Sequence, residues 1–151
     1  MKDKQLIVTA IKEGTVIDHI PSESLFKVIS ILGLDKTDNL ITFGNSLESK
    51  KLGKKAIIKV SNVFFSTEDI NRISLVAPTA KLNIIRKYEV VDKVKVEIPE
   101  TVKGITRCVN PKCITNHESV ITKFTVLSKG NLQLKCHYCE KITTRENLDI
   151  I

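Results

Sequence analysis

The chain has no tryptophan, and aromatic residues make up only 5% of it. Proteins that bind single-stranded nucleic acid stack bases on such rings, so that class has few platforms here. No run approaches the roughly 20 consecutive apolar residues that a membrane helix needs, which excludes a helical membrane span. Met1-Lys2-Asp3-Lys4-Gln5 leads into strand-like alternation, with no long apolar stretch and no small-residue cleavage site. The expectation is therefore a protein without a secretory leader, in the cytoplasm. Six glycines and four prolines form no repeat and no low-complexity segment. There is no Walker loop, no G-x-G-x-x-G and no G-x-S-x-G. With no positioned nucleophile or acid–base pair, the chain is not expected to be an enzyme.

What is present is a chain of 151 residues, 42% hydrophobic and 27% charged, a folded composition sufficient for one ordinary domain or two small ones. The net charge is +7 and the pI about 9.3, which favours an anionic partner. The excess is spread out. Residues 1–99 carry 16 basic and 12 acidic side chains, and residues 100–151 carry 8 and 5. A mildly basic solvated surface accounts for that as readily as a nucleic acid does.

The sharper feature is four cysteines confined to the last third: Cys108, Cys113, Cys136 and Cys139. Their spacing is C-x4-C, then 22 residues, then C-x2-C. In a reducing compartment such pairs bind metal more often than they form disulfides. Each pair spans a tight turn, and two turns aim four thiolates at one point. Zn²⁺ at about 2.3 Å from each sulfur is the expected occupant, closed to substrate and hence structural. Spacing alone does not separate zinc from tetrathiolate iron. His117 and His137 are expected at the surface and not as ligands. A segment of about 50 residues buries too little to fold unaided, so the metal would supply much of its folding free energy.

Residues 5–11 read as a strand. Residues 15–20 read as an extended piece ended by Pro21, with Ser22 capping a helix whose stripe is Leu25, Val28, Ile29 and Leu32, stopped by Gly33. Residues 40–46 read as a strand closed by a Gly44-Asn45 turn, 47–55 as a basic loop, and 56–64 as a β-branched strand. Ser66 and Asp69 have capping-box spacing for a helix that ends near Pro78. Strands follow at 80–87 and 90–98, the latter alternating strictly. The order predicts an α+β, ferredoxin-like antiparallel sheet with two helices on one face. The apolar members of the other face allow a dimer interface. Residues 99–104 read as a linker to a small all-β, zinc-ribbon-like domain with strands near 103–107, 120–128, 131–135 and 141–146.

Among polar residues in the first domain, Asp18 and His19 are strand neighbours, expected on opposite faces, and make a poor catalytic dyad. Lys59 lies mid-strand among Ile57, Ile58 and Val60, and Lys93 lies in the last strand. Such lysines either snorkel to solvent or line a groove for a polyphosphate.

Two sets of residues together carry a resemblance. Gly14-Thr15-Val16-Ile17-Asp18-His19-Ile20-Pro21 and Tyr88-Glu89-Val90-Val91 form one set. Cys108-x4-Cys113 with Asn110, and Cys136-x-Tyr138-Cys139-Glu140-Lys141, form the other. The whole chain resembles the regulatory chain of aspartate carbamoyltransferase, in order and in domain lengths. The resemblance implies a non-catalytic subunit of pyrimidine biosynthesis. Its residues 1–99 would bind nucleoside triphosphates, ATP as activator and CTP as inhibitor, and pair into a homodimer. Its residues 100–151 would hold zinc and contact the catalytic chain, bridging catalytic trimers.

The resemblance carries nucleotide-pocket positions onto Val8, Ala10, Ile11, Val16, Asp18 and His19 in the first part of the chain. Further on it marks Ile57, Lys59, Asn83, Ile85, Tyr88, Val90 and Lys93. In that assignment Lys59 and Lys93 hold ribose and phosphates, and backbone around Ile11 and Tyr88 reads the base edge. Asn110, Tyr138 and Glu140 match the catalytic-chain contact. Gln5, Thr9 and Lys112 depart from well-known members, which carry Lys, Glu and Asn there. The alternative from another class is a zinc-ribbon nucleic-acid-binding or transcription-factor module, which leaves the run Thr15–Pro21 unexplained.

Overall fold

A computed structural model describes residues 10–151. The strand expected over 5–11, together with Gln5, Val8 and Thr9, lies wholly or mostly outside the described residues. The chain divides into two compact units, Met1–Glu97 and Ile98–Ile151.

The first unit runs β1 (Gly14–Pro21), α1 (Leu25–Ile31), β2 (Ile41–Ser49), β3 (Gly53–Ser61), α2 (Thr67–Ser74), β4 (Lys81–Arg86) and β5 (Glu89–Lys95). The strands pair antiparallel in the order β2-β3-β1-β4-β5. This is the expected ferredoxin-like split β-α-β arrangement with β5 added at the β4 edge. One lateral row, Phe43–Ile58–Ile17–Leu82–Val94, faces the helices. Ile17, Ile58 and Leu82 are fully buried with Leu25, Val28 and Ile73 from the helices. Because side chains alternate, the next row falls on the opposite face: Thr42–Lys59–Val16–Asn83–Lys93.

Several local expectations are corrected. Ser22 opens a 3-10 turn over Ser22–Ser24 and does not cap α1. Ser24 occupies the α1 N-cap, and its hydroxyl donates instead to the Val76 carbonyl at 2.9 Å, tying α1 to the end of α2. Gly44-Asn45 is no turn: β2 continues through a bulge there, with Ser46 at φ 57. The basic loop over 47–55 is a hairpin, because β2 runs to Ser49 and β3 restarts at Gly53. Cross-strand pairing with β3 holds these polar residues in extended form, which local composition does not register. The capping box of α2 forms as read, with Ser66 Oγ accepting from the Asp69 N–H and Asp69 accepting from the Ser66 N–H.

The second unit is a four-stranded antiparallel sheet ordered β6 (Thr101–Lys103), β7 (Lys123–Ser128), β8 (Gln133–Cys136) and β9 (Ile142–Thr144). Residues 99–104 are therefore not a free linker. Thr101–Lys103 pair with β7, and Val102 is buried beside Phe124, Leu132 and Leu134. The C-terminus returns through a Thr106–Ile150 bridge, and the Ile151 N–H donates to the Ile105 carbonyl at 2.8 Å.

Gly14 opens β1 at φ 141, and a Cβ built there would lie 2.0 Å from the Val60 carbonyl oxygen. Gly14→Ala is expected to destabilise the first unit by at least about 2 kcal/mol, combining backbone strain with a clash against β3. Denaturant unfolding followed by far-UV circular dichroism measures it.

Candidate functional sites

The cysteines come together as their spacing requires. All four Sγ atoms lie within 4.8 Å of one another. Two separations cross between the pairs: Cys108–Cys139 at 3.5 Å and Cys113–Cys136 at 3.7 Å. These are far longer than a disulfide of about 2.05 Å. They approach the edge of about 3.8 Å expected of a tetrahedron with metal–sulfur bonds of about 2.3 Å. Cys136 ends β8, where pairing of Phe124 with Cys136 anchors it to the core. The chain then turns sharply: the Glu140 N–H donates to the Cys136 carbonyl at 3.0 Å, and Glu140 takes φ 65. The Cys108–Cys113 turn closes the same way, the Cys113 N–H donating to the Asn110 carbonyl at 3.0 Å.

Backbone amides point at the sulfurs, from Asn110 to Cys108 and from Tyr138 and Cys139 to Cys136. Such donors favour thiolates. Without a cation the cluster still cannot ionise fully. Burial, with the adjoining thiols, pushes Cys108 up to about 12, and burial raises Cys136 as well. Burial pulls Cys139 the same way. The Lys141 amide, the Asn110 side chain and the neighbouring thiols outweigh it and bring Cys139 down to about 7. Four sulfurs, amide donors and mutual repulsion between thiolates fit a tetrahedral divalent metal. His117 and His137 are exposed and outside the cluster.

Of the contact residues, Asn110 is engaged within its own turn. Its Oδ1 accepts from the Lys112 N–H at 3.1 Å, and its carbonyl accepts from Asn116 Nδ2 at 2.7 Å. Tyr138 and Glu140 are exposed, Tyr138 packing edge-on against His137 with ring centroids 5.0 Å apart. Ile121 and Leu127 are exposed on the same unit.

In the first unit, the sheet face opposite the helices gathers most of the other predicted residues. Lys59, Val16, Asn83 and Lys93 occupy adjacent strands in one row. In the neighbouring row Asp18 pairs with Lys81, and Lys81 with Lys95. Ile11, Val16 and Ile85 form a small buried cluster with Ile57 against it. Burial lowers the pKa of Lys59, partly offset by Asp18. Ala10, Tyr88, Val90 and Lys93 are exposed.

Asp18 and His19 do not sit on opposite faces. Ile17 pairs with Ile58 and Ile20 with Ala56, so β1 carries one extra residue there, and His19 adopts φ 60. The bulge redirects the side chains until His19 Nδ1 lies 3.5 Å from Asp18 Oδ2. Asp18 Oδ1 also accepts from Lys55 Nζ at 2.9 Å. The Thr79 hydroxyl pins the bulge by donating to the His19 carbonyl at 2.8 Å. Lys54 and Lys55 directly precede the strand of Lys59 in sequence, and the β1/β3 register brings Lys55 to Asp18.

Comparison with known proteins separates the two units as well. Residues 6–97 match the family model described as aspartate carbamoyltransferase regulatory chain, allosteric domain, and residues 100–149 match its metal binding domain. The chain belongs to the aspartate carbamoyltransferase regulatory chain family. Proteins named as that regulatory chain include one from Bacteroides fragilis, 58% identical over 151 residues and covering 99% of both chains. One from Pyrococcus horikoshii is 55% identical, covering 95% of this chain and 96% of its own. One from Porphyromonas gingivalis is 46% identical over the full length of both. A regulatory chain is not the catalytic one, in keeping with a closed four-cysteine centre. Among the described residues no helix is long and apolar enough to cross a membrane.

Two outcomes are expected of the metal centre. Cys113→Ser should abolish cooperative folding of residues 98–151 and leave amide protection in β1, β3 and β4 intact, as read by hydrogen exchange on the full chain. Metal binding should release protons and tighten as pH rises, because thiols must ionise to ligate. Calorimetry in buffers of different ionisation enthalpy measures that release.

Proposed function

We propose that this regulatory chain senses nucleoside triphosphates in its first unit, ATP as activator and CTP as inhibitor. Its second unit, folded around one structural Zn²⁺, transmits the signal to catalytic chains and bridges their trimers. The observation that carries the reading is the row Lys59–Val16–Asn83–Lys93. It has two cations on either side of a polar and an apolar position, beside the apolar cluster of Ile11, Ile85 and Ile57. A triphosphate supplies charge for Lys59 and Lys93, with Lys55 held near by Asp18. A base would stack against the apolar edge of that cluster. The Tyr88 N–H is engaged by the Lys12 carbonyl at 3.0 Å. The Tyr88 carbonyl is an acceptor suited to the exocyclic amino group that ATP and CTP share.

Because the second unit's metal has four protein ligands, it serves folding and docking. Asn110, Tyr138 and Glu140 would meet the catalytic chain, Asn110 by shaping its turn and the other two by exposure. Homodimerisation through the first unit is supported by β2. It lies at the sheet edge among the described residues, with Phe26 65% and Leu40 70% exposed beside it. ATP and CTP must bind the two quaternary states with different affinities, since equal affinity shifts nothing. The setting is the cytoplasm. The nucleic-acid alternative leaves unexplained why both units match one family.

The test is calorimetric titration of the full, zinc-loaded chain with ATP and with CTP. Saturable binding is expected, and Lys59→Ala or Lys93→Ala should each weaken it by about tenfold, the loss of one charge-assisted hydrogen bond. Absence of binding to the folded wild type overturns the reading.

A further inference from the structure

The turn that joins β4 to β5 is held by a side chain that lies outside the nucleotide-pocket positions named above. Lys87 and Tyr88 both take left-handed backbone, at φ 51 and φ 66, a conformation costly for side chains of this size. Glu13 Oε2 accepts from the Lys87 N–H at 2.6 Å, and Glu13 Oε1 lies 3.4 Å from Arg86 Nη1. The Arg86 guanidinium in turn covers the Phe64 ring at 4.1 Å from its centroid. One residue earlier, the Lys12 carbonyl accepts from the Tyr88 N–H at 3.0 Å. The Glu13 carbonyl itself accepts from the Asn62 N–H at 2.9 Å. Lys12 and Glu13 therefore lock the turn to the chain that immediately follows Ile11. These bonds join the Lys12–Glu13 segment and the Lys87–Tyr88 turn into one frame next to the buried cluster of Ile11, Val16 and Ile85.

We infer that Glu13 is a positioning residue for base selectivity: by fixing the Lys87–Tyr88 turn against the Ile11 segment, it sets the spacing at which an amino-bearing base is told from a keto-bearing one. This rests on the nucleotide reading above. The Lys87 N–H, ahead of Arg86 and Lys12, holds the Glu13 carboxyl below the ordinary carboxylate range against a smaller opposing effect of desolvation. Glu13 thus stays an ionised acceptor at neutral pH. It lies in neither lateral row of cations, so its loss leaves phosphate attraction in place. A backbone carbonyl that drifts from its position loses the hydrogen bond to the amino group and no longer disfavours the keto form.

The experiment measures dissociation constants of the full, zinc-loaded chain for CTP, UTP, ATP, ITP and inorganic tripolyphosphate. Glu13→Ala should reduce the CTP-over-UTP and ATP-over-ITP preferences by about tenfold, one hydrogen bond's worth, with tripolyphosphate affinity within about twofold of wild type. Glu13→Gln keeps an acceptor for the Lys87 N–H and should restore both ratios to within about twofold. Where E13A does not fold, Glu13→Asp, which retracts the carboxylate by one methylene, is expected to lower the same ratios. Unchanged ratios in a folded E13A or E13D overturn the proposal and leave the nucleotide site standing. So does an E13Q that loses selectivity as fully as E13A. A wild type that binds none of the nucleotides overturns the nucleotide reading and this inference together.

Discussion

Val16 lies opposite Lys59 on one side and Asn83 on the other, and the arrangement of the whole sheet face away from the helices depends on that register. A slip of one residue in β1 would turn Ile17 out of the core and Val16 into it. It would also carry Asp18 away from Lys55. Ile17, fully buried between Ile58 and Leu82, enforces the register, because exposing one large aliphatic side chain costs about 1.5–3 kcal/mol. The helices therefore govern the opposite sheet face without touching it. They hold one face buried, and alternation delivers the other.

The second unit depends on a different constraint. Phe124, Leu132, Leu134 and Val102 are its main apolar core. So small a core leaves two cysteine turns to be held by something stronger than burial. The sulfurs already lie at distances that a tetrahedral metal would span, and backbone amides already point at them. The C-terminal residues are bound back against Ile105 to Arg107, just ahead of Cys108. Metal, sheet and terminus thus brace the same short stretch.

Three of the left-handed residues of the first unit lie at its bulge in β1 and its β4–β5 turn. His19 sits in the β1 bulge, and Lys87 and Tyr88 make the β4–β5 turn. Each is held by a specific partner: Thr79 for His19, Glu13 for Lys87, the Lys12 carbonyl for Tyr88. Such conformations persist only where their surroundings over-determine them. Here the partners come from distant parts of the chain, which is why the same residues are poorly described by their neighbours in sequence.

Local pattern was enough for much of this protein. The alternation of Val94 and Val96, the stripe of Leu25, Val28 and Ile29 and the Ser66–Asp69 box each depend on residues a few positions apart. So does the grouping of cysteines into two turns. Those elements, the ferredoxin-like order and the metal cluster were legible in the sequence by itself. The bulge at Asp18–His19, the continuation of β2 through Gly44 and the strand at Thr101–Lys103 were not. The same holds for the placing of Lys55 beside Asp18 and Glu13 beneath the Lys87–Tyr88 turn. Each is decided by a partner on another segment, from Ile57 opposite Gly44 to Glu13 beneath Lys87. Sequence determines which groups can bond, and tertiary structure alone decides which of them meet, because register and burial act on the sheet as a whole.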